Sequence, residues 1–221
     1  MHWINKLERK YGRYAVKNLI SYIIGLNALV FFLSYLDIDR VMSTLVLDPA
    51  LVLRGQVWRL VTYLFIPPTF SLIWIIFALY FYYLVGANLE HEWGAFKFNL
   101  YYLLGMAGTT VAAFITGAGM TGVYLNLSLF LAFAHVFPDF QLLLFFVLPV
   151  KVKYLGWLNW AFLGYTVIVS PLPYKAAAIA AVANFFIFFG RDLVRTIKLR
   201  RQVQQNRKRF FSEIEKARRG R

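Results

Sequence analysis

The sequence predicts an all-α, polytopic membrane protein: six transmembrane helices in one bundle, with a first loop lying in the interface. Three observations carry this. Hydrophobic residues make up 60% of the 221 and aromatic residues 19%, with a mean hydropathy of +0.59, more apolar surface than a soluble domain can hide. Residues 60–89 and 98–138 contain no Asp, Glu, Lys or Arg, and about 20 such residues make one crossing. The net charge of +14 is unevenly placed, so that one topology puts 20 of the 24 Lys and Arg on a single side. By the positive-inside rule that side is the cytoplasm, and it holds both termini.

Each element follows from local pattern. Residues 1–17 carry five basic residues, with Trp3, Leu7, Tyr11 and Tyr14 between them at helical spacing. This is an amphipathic segment suited to an anionic leaflet; the alternative is a solvated basic leader. Its charge and the lack of a small-residue cleavage site argue for a retained anchor. Residues 18–36 are charge-free and form span one. Residues 41–69 are apolar but broken by Asp48-Pro49, Gly55, Arg59 and Pro67-Pro68. A lipid-exposed span cannot hold such breakers, because freed backbone groups lack partners. They read as a long, partly helical loop in the outer interface.

Span two covers about residues 70–86. The uncharged run after Lys97 is twice one helix long and carries Gly117, Gly119 and Gly122 near its middle. It divides into span three (about 97–116) and span four (about 122–137). Residues 140–150 are too short to cross and end at Pro149, Lys151 and Lys153, as an interfacial or re-entrant piece. Spans five (about 154–170) and six (about 175–190) follow, separated by Ser170-Pro171-Leu172-Pro173. The chain therefore reads as a cytoplasmic segment (1–17), a membrane domain (18–190) and a basic cytoplasmic tail (191–221). The tail holds 12 Lys and Arg against three acids, with Val203, Phe210, Ile214 and Ala217 at helix-compatible spacing.

Three motifs stand out against this background. Gly55-Gln56-Val57-Trp58-Arg59-Leu60-Val61-Thr62 lies in the first loop. Gly86-x-x-Leu89-Glu90-x-x-Trp93-Gly94-x-x-Lys97-Phe98 lies between spans two and three. Leu148-Pro149-Val150-Lys151-Val152-Lys153 follows span four. In order and spacing they resemble the signatures of rhomboid proteases and the related derlins, over roughly residues 18–190. The resemblance implies a six-span rhomboid-like bundle with a cytoplasmic N-terminus. It also says where the protease machinery would fall. Counting back from Gly86 and Glu90, the family's oxyanion-holding histidine and asparagine fall at Trp74 and Ala78. The serine's Gly-x-Ser-Gly setting is echoed only by Thr121-Gly122, and span six has no histidine. The resemblance therefore implies the fold without the family's catalytic set, a pseudoprotease.

The residues themselves offer few other routes to chemistry. With no cysteine there is no disulfide and no thiol nucleophile. An unconventional pair, Ser128 and His135, is the alternative for an active intramembrane serine protease. Seven residues apart, they share a helix face but are separated by roughly 10 Å of rise. The plainer reading gives Ser128 a structural hydrogen bond and makes His135 a snorkelling surface residue. Glu90, His91 and Glu92 point about 100° apart on a helix, so they do not converge on a metal. Glu90 reads instead as an acceptor for backbone or hydroxyl donors, Trp93 as an interface anchor and Gly94 as a point of close helix approach. Asn126, Ser128 and Asn184 are polar groups within spans, forming either isolated interhelical hydrogen bonds or a hydrated cavity. No buried charge suggests a transporter.

The function expected from these readings is non-catalytic: binding transmembrane client segments or perturbing the local bilayer. No cofactor or metal is expected. Anionic lipid is the expected partner of the basic ends, favoured over nucleic acid because the membrane is adjacent. The expected location is a bacterial plasma membrane.

Overall fold

Helix α1 (His2–Tyr11) opens the chain and buries Ile4 completely. Its Glu8 pairs with Lys97 at 3.4 Å, which ties the amphipathic segment to the protein. The computed structural model describes residues 2–144 and 148–219, and these are mostly helical. After a 3-10 turn the chain bends by 61° into α2 (Leu19–Ser34). The bend is made at Asn18, whose φ of 55° is the one positive value outside glycine among the described residues. Asn tolerates this left-handed conformation because its short polar side chain can bond locally.

The loop predicted for 41–69 is partly helical. It holds α3 (Ile38–Leu45), α4 (Pro49–Leu53) and α5 (Arg59–Thr62), followed by a 3-10 turn at Tyr63–Phe65. The first two start on aspartate caps. Asp37 Oδ1 accepts from Arg40 N at 2.9 Å, and Asp48 Oδ1 accepts from Ala50 N at 2.9 Å. Pro49 suits the first turn of α4, where a missing N–H costs nothing. The loop is anchored to the distant Met120 by paired backbone bonds between Leu47 and Met120 (3.1 and 2.9 Å).

Helices α6 (Leu72–Trp93) and α7 (Ala95–Thr116) are separated only by Gly94. Next come α8 (Val123–Val136), strands β1 (Gln141–Leu144) and β2 (Leu148–Lys151), α9 (Val152–Val169) and α10 (Leu172–Arg219). Helix α6 packs on α2, α7 and α8, and α8 packs on α9. Small residues allow these approaches. A Cβ on Gly86 would overlap the Ile20 side chain, and one on Gly156 would lie 2.7 Å from Ala134 Cβ.

One expectation changes. The piece at 140–150 is an antiparallel hairpin pairing Gln141 with Lys151, so the fold is not purely helical. Pro149 cannot sit in a helix interior, and the short apolar run pairs as strands instead. The apolar segment Leu172–Arg191 covers the predicted last span, and its helix α10 runs on beyond it to 48 residues in all. The chain divides into two compact units, His2–Phe185 and the stretch from Phe186 onward. The second consists of the later turns of α10, with Val194, Leu199 and Val203 exposed. The side chains of Phe210, Ile214 and Ala217 lie outside the described ones.

Among the described residues, three segments are long and apolar enough to cross a membrane: α6, α7 and Leu172–Arg191 of α10. The bent pair of α1 and α2 makes a fourth if counted as one span. Helix α8 is apolar but has 14 residues, and α9 carries Lys153 and Asn159 within its 18. The apolar helices mark an integral membrane protein.

Candidate functional site

Arg59 is the most fully used polar side chain of the loop. It is 4% exposed and bonds three ways: Nε to Gln56 Oε1 (2.8 Å), one terminal nitrogen to Val46 O (2.8 Å) and the other to Ser43 O (2.6 Å). Ser43 O and Val46 O lie at the C-terminal end of α3, where carbonyls lack intrahelical partners and the helix dipole favours a cation. Trp58 beside it is half exposed, as an interface anchor would be. Thr62 Oγ1 donates to Leu45 O, and Asn27 Nδ2 of α2 donates to Leu64 O. Burial pushes the Tyr63 phenol well above its ordinary pKa, keeping it a donor toward Met106 O of α7.

At the centre of the bundle Ser128 is fully buried. Its Oγ lies 2.7 Å from Tyr101 Oη, which also donates to Ser128 O at 2.8 Å. Asn184 Nδ2, 2% exposed, donates to Ser128 Oγ and to Tyr101 O, both at 3.3 Å. The cluster joins α7, α8 and the first half of α10. A Cβ on Gly105 would come within 3.1 Å of Asn184 Nδ2, so glycine is what lets the amide in.

His135 is exposed and sets its ring edge-on to Phe185 at 5.7 Å. The buried serine and the exposed histidine therefore stand in different surroundings. Asn126 is half-buried beside the Tyr82 hydroxyl. Trp74 is exposed on α6 and Ala78 is half-buried, away from the Ser128 cluster's full burial. Thr121 and Gly122 belong to the turn before α8, where a Cβ on Gly122 would touch Leu64 Cα and Tyr63 O at 3.6 Å. The structure thus brings Ser128 and Asn184 together. The remaining positions belong to other surroundings.

The polar stretch from Gly86 to Phe98 holds helices together. Glu90 Oε1 accepts from Asn18 N at the start of α2, so a carboxylate faces a helix N-terminus. The Trp93 ring lies tilted against that of Tyr101, with centroids 5.5 Å apart. Close approach falls to Gly86 rather than Gly94. Gly94 has φ 82° and ψ 155°, a conformation only glycine adopts freely, and it makes the turn between α6 and α7. In the hairpin, Pro149 is exposed, and Lys151 and Lys153 both approach Asp139, at 3.3 and 3.9 Å.

Tyr101, Asn27 and Asn159 were not singled out from sequence. Asn159 Nδ2 donates to Leu127 O at 2.9 Å. The signal was present, since an amide in a charge-free run must find a partner. Among the described residues no group of three or more His, Cys, Asp or Glu could hold a metal ion. No family model and no curated protein matches the chain.

Proposed function

We propose that this is a rhomboid-like integral membrane protein that binds transmembrane segments of other proteins without cutting them. The observation that supports it best is the state of Ser128. Its hydroxyl is fully buried and held between a phenol and an amide, neither of which can take its proton at neutral pH. In this reading α2, α6, α7, α8, α9 and the first part of α10 are six crossings, with both termini in the cytoplasm. Helix α8 is only about 21 Å long at 1.5 Å per residue, against about 30 Å of hydrocarbon. Its buried face (Leu125, Ser128, Leu129, Leu131, Ala132, Phe133) lets it be short inside protein, and bilayer thinning can serve the rest. Helix α6 is the lightly covered member, with 22% of its best window buried against 44% for α7. Trp74 and Ile76 lie exposed on its surface.

Two measurements test this. A photo-crosslinking residue at position 74 should capture reconstituted single-span peptides, whereas one at the loop residue Leu53 should not. A serine-reactive fluorophosphonate should leave the protein unlabelled. Stoichiometric labelling that disappears in Ser128→Ala would instead establish the serine protease.

A further inference from the structure

Helix α1 is covered by protein where it is apolar and open where it is charged. Ile4 is fully buried, Leu7 is half-buried, and the helix packs on α7. Glu8, the one acid in residues 1–36, is occupied by Lys97 at 3.4 Å. Part of the apolar side that the sequence offers to the leaflet is therefore taken by the bundle. Lys6, Arg9, Lys10, Arg13 and Lys17 are exposed, and none of them joins an ion pair among the described residues.

Aromatic rings lie among these cations. Tyr11, Tyr14 and Val16 are exposed. Lys10 Nζ lies 5.2 Å from the centre of the Tyr11 ring. The Arg13 guanidinium lies 4.8 Å from that of Tyr14 and donates to Tyr14 Oη at 2.7 Å. Each pair joins a charge to a ring, which suits the boundary between headgroups and acyl chains. Position along the chain agrees. Five cations keep residues 1–17 out of hydrocarbon, and α2 starts at Leu19, two residues after Lys17. Where α2 crosses, the bend at Asn18 lies at headgroup depth.

We propose that the exposed residues of 9–17 dock on the anionic headgroups of the leaflet that α2 enters. Arg9, Lys10, Arg13 and Lys17 meet the phosphates, and Tyr11, Tyr14 and Val16 sit at the acyl boundary. Continuity with the span favours this surface over nucleic acid, because the leaflet is always within reach. The three exposed rings and methyl groups also gain by leaving water. Docking rests on α2 crossing the membrane, as in the reading above, and not on client binding. Crosslinking at position 74 and lipid preference at position 16 can therefore fail independently.

The chain has no cysteine, so Val16→Cys can carry a single fluorophore in the full-length protein, reconstituted into bilayer nanodiscs. Quenching by lipids spin-labelled near the headgroup compares phosphatidylglycerol with phosphatidylcholine around it. Phosphatidylglycerol should be preferred by roughly five-fold or more, the scale of one cation near an anionic surface, and the preference should fall towards parity in about 1 M salt. A probe at Ile115→Cys, exposed near the other end of α7, should show no preference. Arg13→Gln combined with Lys17→Gln should reduce the preference several-fold, whereas Arg13→Lys with Lys17→Arg should keep it. Both positions are exposed, so neither pair disturbs the core. Equal quenching by the two lipids at position 16 would overturn the proposal. So would the same preference at position 115, or one that survives both neutralisation and salt. A probe that ignores phosphatidylglycerol and responds to single-stranded RNA in phosphatidylcholine discs would assign the cations to nucleic acid instead.

Discussion

Arg59 shows how one side chain can hold a loop at a membrane surface. Its charge meets no carboxylate among its bonded partners, only three oxygens: one amide and two carbonyls at the end of α3. The planar guanidinium can bond in three directions at once, which an ammonium on a flexible stem cannot copy. Removing it leaves two part-buried carbonyls without this donor, at about 1–2 kcal/mol each. Arg59→Leu should therefore cost about 2–4 kcal/mol, and Arg59→Lys roughly half of that. Thermal unfolding in detergent reads both, and equal stability of the three proteins would remove Arg59 from this role. At the same scale, the sequence marks Arg59 as a charge in an apolar interfacial loop. Its acceptors at Ser43 and Val46 could not be named, because they depend on where α3 ends and how the loop folds back.

Between elements, the closest approach is that of α2 and α6 at Gly86. The overlap a side chain would make with Ile20 has no easy outlet, because Ile20 is 2% exposed. Gly86→Val should destabilise by about 1–3 kcal/mol, the usual cost of overpacking. Combining it with Ile20→Ala should recover only part of the loss, since the Cβ of residue 20 would still lie 2.7 Å from the new atom. A double-mutant cycle on unfolding temperature gives the coupling, and strict additivity would show that the two helices do not meet there. Gly86 was legible as a motif glycine, but close approach was assigned to Gly94, which proved to be the turn. The difference lies in backbone dihedrals, which a Gly-rich motif does not reveal. The hairpin at 141–151 was hidden for a related reason. A short apolar run has no periodicity that separates strand from helix, and only the pairing of Gln141 with Lys151 decides it.

For the whole molecule, hydropathy made the membrane setting legible but not the number of crossings. Length and apolarity identify three spans, or four with the bent pair, because α8 is short and α9 holds polar residues. Six crossings need α2, α8 and α9 to span as well, and that places each exposed turn on a definite side. The absence of cysteine makes this testable with single-cysteine variants. Leu53, at the end of α4, and Pro171, in the turn before α10, are exposed at positions that six spans put outside. Glu92, Asp139 and Gln205 are exposed at positions that six spans put in the cytoplasm. Cysteines at 53 and 171 should react with a membrane-impermeant maleimide in intact cells, and those at 92, 139 and 205 only after permeabilisation. A bundle in which α8 and α9 fail to cross as a pair would leave 171 outside but move residue 139 there too. Position 139 is therefore decisive: its protection in intact cells requires an even number of crossings between it and the turn at residue 92, and labelling there would reduce the six-span bundle to four crossings.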